Sequence, residues 1–146
     1  MRLNVLADAR SNPYSRFASQ FDKDYVQNAI QANGIKYLFL GRELGGRPKD
    51  PESYDPEGHV LYSKIADSPL FYDGIGRLMT VIKTYRVAIM CSEENPTHCH
   101  RQILVGRVLS VKGSNMRKDA KIRLEDDLIH PYSPVSKNDM ALTAMV

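Results

Sequence analysis

Apolar residues fall into two patterns along this chain, and the two alternate. Short, nearly continuous runs at residues 3–8 (Leu-Asn-Val-Leu-Ala-Asp), 35–40 (Ile-Lys-Tyr-Leu-Phe-Leu) and 86–90 (Arg-Val-Ala-Ile-Met) read as strands. Between and after them lie stretches with helical spacing. The first covers residues 22–33, with Tyr25, Ala29 and Ile30 as its inward stripe, and is closed by Gly34. The second opens at Ser68-Pro69, serine as cap and proline in the first turn, and carries Leu70, Phe71, Ile75, Leu78, Met79 and Ile82. The third opens at Asn95-Pro96 by the same logic and carries Ile103, Leu104, Val105, Val108, Leu109 and Val111. This β-loop-α alternation predicts an α/β fold, a three-layer sandwich with a mostly parallel sheet.

The intervening segments are polar. A loop over residues 9–19 contains the turn signal Asn12-Pro13. A longer one, residues 41–60, carries Gly45-Gly46 and Pro48, Pro51 and Pro56; that length belongs to functional or disordered segments. Past Gly113 the pattern weakens to two short strands, 121–124 and 128–130, around Glu125-Asp126-Asp127. The expected organisation is one α/β domain over residues 1–130 and a C-terminal extension over 131–146, irregular or with a short helix at 138–145.

Composition narrows the function classes. With 146 residues, 42% of them hydrophobic, the chain can bury one sizeable core. A net charge of +3 is too small to imply nucleic-acid binding without a localised patch. No apolar run is long enough to span a membrane or to form a signal peptide. Two cysteines without a CxxC spacing suit a reducing cytoplasm with both thiols free, against the alternative of a Cys91–Cys99 disulfide.

Candidate chemistry gathers where parallel strands end, because the loops there face a crevice and the following helix points its amino terminus into it. The first loop supplies Asp8, Arg10, Tyr14, Ser15 and Arg16; the second supplies Arg42, Glu43, Arg47 and Lys49 beside Gly45-Gly46. The third is the run 91–101, Cys-Ser-Glu-Glu-Asn-Pro-Thr-His-Cys-His-Arg. Arginine's planar fork suits phosphate and carboxylate, and paired glycines let backbone approach a ligand closely. An anionic small molecule is the natural ligand class. The plainer alternative is that the arginines pair with Asp8, Glu43, Glu93 and Glu94 and simply tie the loops together.

At about 100° per residue, Arg101 shares a helix face with Leu104, Val105 and Val108, so it should point inward and need a partner: Asp8, Glu93 or a ligand anion. Cys99 aligns with Ile103, roughly opposite, which leaves Cys91 at the strand end as the better-placed thiol. A cysteine nucleophile would need a depressed pKa, which His98, His100, Arg101 and the helix terminus can supply. The spacing from Cys91 to Arg101 is not that of a cysteine-phosphatase phosphate loop. A zinc site could draw on Cys91, His98, Cys99 and His100, but on a regular helix the last three diverge by about 100° each, so no metal is expected. General acid–base chemistry by Asp8, Glu93 and a histidine needs only proximity.

Three segments carry a family resemblance: 8–17 (Asp-Ala-Arg-Ser-Asn-Pro-Tyr-Ser-Arg-Phe), 44–46 (Leu-Gly-Gly) and the 91–101 run. They resemble the signature segments of a bacterial family catalogued as domain of unknown function 488, over nearly the whole chain to about His130. The resemblance implies an α/β domain without an established activity, whose motifs fall on the three loops and make them one site. Members usually begin with an extra strand and helix opening on a Thr-Ile-Gly-type segment; this chain starts at the following strand. That implies either a start placed late or a natural short form, and in both cases an unpaired sheet edge through which a homodimer could form.

The expectation from sequence is thus a cytoplasmic α/β protein binding a phosphorylated or nucleotide-like anion, with or without turnover. Arg10, Arg16, Arg42, Gly45, Gly46, His100 and Arg101 would hold the ligand, and Cys91, Glu93 and Asp8 are the catalytic candidates; no particular cofactor is implied. The alternative is a non-catalytic nucleic-acid or interaction module in which Arg10, Tyr14, Arg16, Arg42, Arg47 and Lys49 contact phosphates, with Tyr14 or Phe17 available for stacking on bases.

Overall fold

A computed structural model describes residues 2–93 and 99–113. Three strands, β1 (Val5–Asp8), β2 (Lys36–Phe39) and β3 (Val87–Met90), form one sheet in the order β2-β1-β3. Both pairings are parallel: Val5 lies opposite Lys36 and Val87, and Asp8 opposite Phe39 and Met90. Helices α1 (Lys23–Ala32), α2 (Gly41–Leu44), α3 (Tyr62–Ala66) and α4 (Pro69–Ile82) connect them. After β3, π-helical turns over Arg101–Gly106 run into α5 (Arg107–Gly113).

Strand side chains alternate between faces, so the sheet divides its apolar residues between two layers. Leu6, Ala88 and Met90 face Val26 of α1, with Phe21, Ile30 and Tyr37 packed around them. Val5, Ala7, Val87 and Ile89 face the other way, onto Leu44, Ile65, Phe71, Ile75, Leu78, Leu104 and Val105. Helices therefore cover both faces of a parallel sheet, as the alternating pattern predicts.

The helix signals translate into geometry with some shifts. Gly34 closes the first helix at φ +74°, a conformation that L side chains rarely adopt. The inward stripe of α1 differs from the expected one: Tyr25 and Ala29 are exposed, and Val26 and Ile30, one turn apart, face the sheet. In α4, Phe71, Ile75 and Leu78 are buried, but Leu70 and Ile82 flank the stripe and are exposed.

The Ser68 hydroxyl accepts a hydrogen bond from the Phe71 backbone N–H at 3.2 Å, and Pro69 follows in the first turn. Ser68→Ala should lower stability by about 1 kcal/mol, read as a lower urea midpoint at unchanged slope. An unchanged midpoint would mean that the fixed φ of Pro69 alone sets this helix start.

The segment expected as one long loop is instead locally structured. It contains α2, a 3-10 turn over Pro51–Ser53 and an isolated antiparallel bridge between Tyr54 and Val60, and α3 follows it. Elements of three to five residues are too short for periodicity to register. The helix start at Asn95-Pro96 and the expected elements at 121–124, 128–130 and 138–145 lie outside the described residues. Among the described residues, no helix is long and apolar enough to cross a membrane.

Candidate functional site

Chain direction decides where the site lies. From β1 the chain passes to α1 on one face, whereas from β2 and β3 it passes to helices on the other face. Neighbouring loops that part to opposite sides leave a crevice at the carboxyl ends of the strands. A cleft of about 720 Å³ lies there, lined by Arg10, Ser11 and Asn12 after β1, by Gly46, Arg47 and Lys49 after α2, and by Cys91, Ser92, Glu93 and His100 after β3. Tyr54 and Tyr62 also line it. All three loops contribute, as the resemblance implies.

At the end of β1, Asp8 is fully buried and serves as an anchor. Its Oδ1 accepts from Arg10 Nε (2.9 Å) and from the Arg10 backbone N–H (3.0 Å). Its Oδ2 accepts from Arg10 Nη2 (2.7 Å) and from the Tyr37 hydroxyl (2.5 Å). Arg10 Nη1 donates to the Phe21 carbonyl at 2.6 Å, tying the sheet to the segment before α1. Burial opposes the charge on Arg10, but Asp8 outweighs it and holds the guanidinium above its ordinary pKa. Burial, then the bond to Asp8, pushes the Tyr37 phenol up. This part of the site follows the plainer expectation of an internal ion pair.

At the end of β3, two sulfurs and an imidazole converge. His100 Nε2 lies 3.2 Å from the Ala9 carbonyl, which can only accept, so Nε2 carries the proton. Nδ1 is thereby turned toward the cysteines, 3.6 Å from Cys91 Sγ and 3.8 Å from Cys99 Sγ. Gly46 makes room for this: a Cβ there would sit 2.7 Å from Nδ1. Behind the cluster, fully buried Arg101 donates from Nε to Cys99 Sγ (3.1 Å) and from Nη2 to the Glu93 carbonyl oxygen (2.8 Å). The Arg101 backbone N–H also points at Cys99 Sγ, at 3.4 Å.

Those donors decide which sulfur carries charge. Hydrogen bonding from Cys91, then from the backbone and side chain of Arg101, lowers the Cys99 pKa against the opposing effect of burial. Cys91 is pushed the other way, chiefly by its hydrogen bond to Cys99 and then by burial. Burial first, and then Cys99, raises the Glu93 carboxyl. The cluster can act as a buried thiolate beside a proton-holding imidazole, or as a set of soft metal donors. Cys91, Cys99 and His100 offer ligand atoms within 4.8 Å of one another. Asp55, Glu57 and His59 do the same at the surface, where Asp55 Oδ1 also accepts from the His59 backbone N–H at 2.7 Å and so closes a turn.

Of the residues expected to form the site, Arg10, Gly46, Cys91, Glu93 and His100 line the cleft. Arg101 points inward as expected, but its described partners are a backbone carbonyl and a sulfur, with no bond to Asp8. Arg16 and Arg42 are exposed and do not line the cleft, and Asp8 lies beneath it. Gly45 packs on Ser11 and on the Gly41 carbonyl. Cys99 departs most from its helical projection. It is fully buried beside Cys91, whereas Ile103, expected on the same side, is 38% exposed. The projection assumed an α-helix, but Cys99 precedes the helix and the turns that follow are π-helical, with a smaller rotation per residue. Glu94 and His98 lie outside the described residues. Arg47 and Lys49, expected as phosphate contacts of the nucleic-acid alternative, line the cleft beside Gly46, as do Tyr54 and Tyr62, which no sequence signal marks.

No curated protein matches this chain, and no solved structure does. The family model described as "Domain of unknown function DUF488" matches residues 1–108, and that span contains all three loops of the cleft. The chain therefore belongs to the DUF488 family.

Proposed function

We propose that the protein binds a small anionic ligand, phosphorylated or nucleotide-like, in the cleft at the strand ends. Arg47 and Lys49 supply the positive rim, because Arg10 is already neutralised by Asp8. Cys91, His100 and Glu93 lie where chemistry on that ligand would take place. One observation carries the reading: a concave space of about 720 Å³, the size of a small-ligand pocket, that gathers two cations and a cysteine–histidine pair from separate loops. Tyr54 and Tyr62 offer apolar walls with polar tips, suited to a sugar or a base.

A second reading has its own observation. Phe17 is 95% exposed beside exposed Arg16, with Tyr14 half exposed nearby in sequence, a combination that suits stacking and phosphate contact in a nucleic-acid module.

Thermal shift separates the two. The wild type and an Arg47→Ala/Lys49→Ala variant are heated with phosphate, nucleotides, phosphorylated sugars and short oligonucleotides. A small anion at about a hundred times its Kd should stabilise the wild type by roughly 2.7 kcal/mol, and the double variant clearly less. Stabilisation by oligonucleotides alone, steeply weakened by salt and lost in Phe17→Ala, would favour the second reading. No response to any anion would remove the first.

A further inference from the structure

We propose that Cys91, Cys99 and His100 form a binding site for a thiophilic divalent cation, zinc by the character of the donors, on the floor of the cleft. Three features carry this, and none depends on the anionic ligand.

The first is spacing. Zinc binds sulfur at about 2.3 Å and histidine nitrogen at about 2.0–2.1 Å, so in a tetrahedral site the sulfur and nitrogen ligands lie about 3.6 Å apart and two sulfurs about 3.8 Å apart. The two Sγ···Nδ1 distances are 3.6 and 3.8 Å, and all three donor atoms lie within 4.8 Å of one another. Both sulfur–nitrogen edges therefore match those of a tetrahedral face to within about 0.2 Å, and the sulfur–sulfur edge lies within 4.8 Å.

The second is the orientation of the imidazole. Metal-binding histidines almost always donate their other ring N–H to an oxygen that fixes tautomer and ring plane. His100 does this through Nε2 to the Ala9 carbonyl at 3.2 Å, which presents the Nδ1 lone pair to both sulfurs. A Cβ at Gly46 would sit 2.7 Å from Nδ1, so the glycine keeps a side chain off this ring nitrogen.

The third is charge. Two thiolates and a neutral imidazole make a donor set of charge –2, matched to a divalent cation. The Arg101 guanidinium donates to Cys99 Sγ at 3.1 Å, as outer hydrogen bonds to ligating sulfur do. Cys91 and His100 line the cleft and Cys99 is fully buried, so a fourth ligand, water or substrate, would come from the cleft side, as in zinc sites with three protein ligands. The surface trio of Asp55, Glu57 and His59 lacks these features: Asp55 Oδ2 pairs with His59 Nδ1 at 3.1 Å within one turn.

Cobalt tests the site directly. The full-length chain, reduced and stripped by a chelator, is titrated with Co²⁺ alone. Cys91 and Cys99 are the only two cysteines of the sequence, so any thiolate-to-cobalt charge-transfer band must arise from them. The expected result is one cobalt per chain with that band and the intense visible bands of a tetrahedral site, all displaced by Zn²⁺. Cys99→Ser and His100→Ala should each weaken cobalt binding by about tenfold or more, and His59→Ala should leave it unchanged. If the variants do not fold, the wild-type spectrum still decides. A wild-type chain with native circular dichroism and two titratable thiols that shows no charge-transfer band overturns the proposal. So does a cobalt spectrum that survives Cys99→Ser in a folded variant and is lost in His59→Ala.

Discussion

Asp8→Ala should destabilise the fold by about 3–5 kcal/mol, because it leaves the buried guanidinium of Arg10 without its counter-charge. That is a large share of the roughly 5–15 kcal/mol that holds a domain together. At roughly 3–5 °C per kcal/mol for a chain of this size, the melting temperature should fall by roughly 10–25 °C. The loss should be largely reversed in Asp8→Leu/Arg10→Met, where both charges go and apolar volume replaces them. It should not be reversed by Tyr37→Phe added to Asp8→Ala, because the charge on Arg10 would remain. Calorimetry of the three variants checks this. A single variant within a few degrees of wild type would mean that water reaches Arg10 and that the pair is not the anchor its geometry describes.

Arg101→Ala is the second large effect, at about 3 kcal/mol or more. The side chain is fully buried, so truncation opens a cavity and also strips donors from Cys99 Sγ and from the Glu93 carbonyl. Arg101→Lys keeps the charge, but a single ammonium cannot reproduce a fork that serves a sulfur through Nε and a carbonyl through Nη2, so it should restore less than half of the loss. Arg101→Met refills much of the volume, and its comparison with Arg101→Ala isolates the cavity from the lost hydrogen bonds. Urea unfolding of the three variants reads the difference. Equal stability of Arg101→Lys and wild type would show that charge alone matters here. Because Arg101 does not line the cleft, its loss should reach ligand affinity only through stability and through Cys99.

Several parts of this protein were legible in the order of its residues. The strand runs, the Gly34 stop and the Ser68-Pro69 start all rest on local chemistry: alternation of faces, a left-handed residue and a capping hydroxyl. Each survives folding with boundaries shifted by a residue or two. The inward direction of Arg101 was equally legible, because a cation within an apolar stripe has nowhere else to point. The grouping of the three loops followed from parallel strands, whose carboxyl ends share one edge of the sheet.

What stayed hidden was pairing. Residues 8 and 10 are two apart, and nothing in their spacing distinguishes a ligand-holding arginine from one gripped by its neighbour; the fork of Arg10 on Asp8, joined by Tyr37 from the adjacent strand, exists only once β1 and β2 lie side by side. The short elements between residues 41 and 66 carry too few turns to leave a periodic trace, yet they deliver Arg47, Lys49, Tyr54 and Tyr62 to the cleft. Cys99 makes the same point most sharply. A helical wheel sends it away from Cys91, and a bend followed by π-helical turns brings it beside Cys91 and His100. Which segments become strands and helices is written locally, since capping, alternation and backbone preference act within a few residues. Which charges neutralise one another and which donors converge is set by folding, since both depend on side-chain distances that strand pairing and the turns after β3 create.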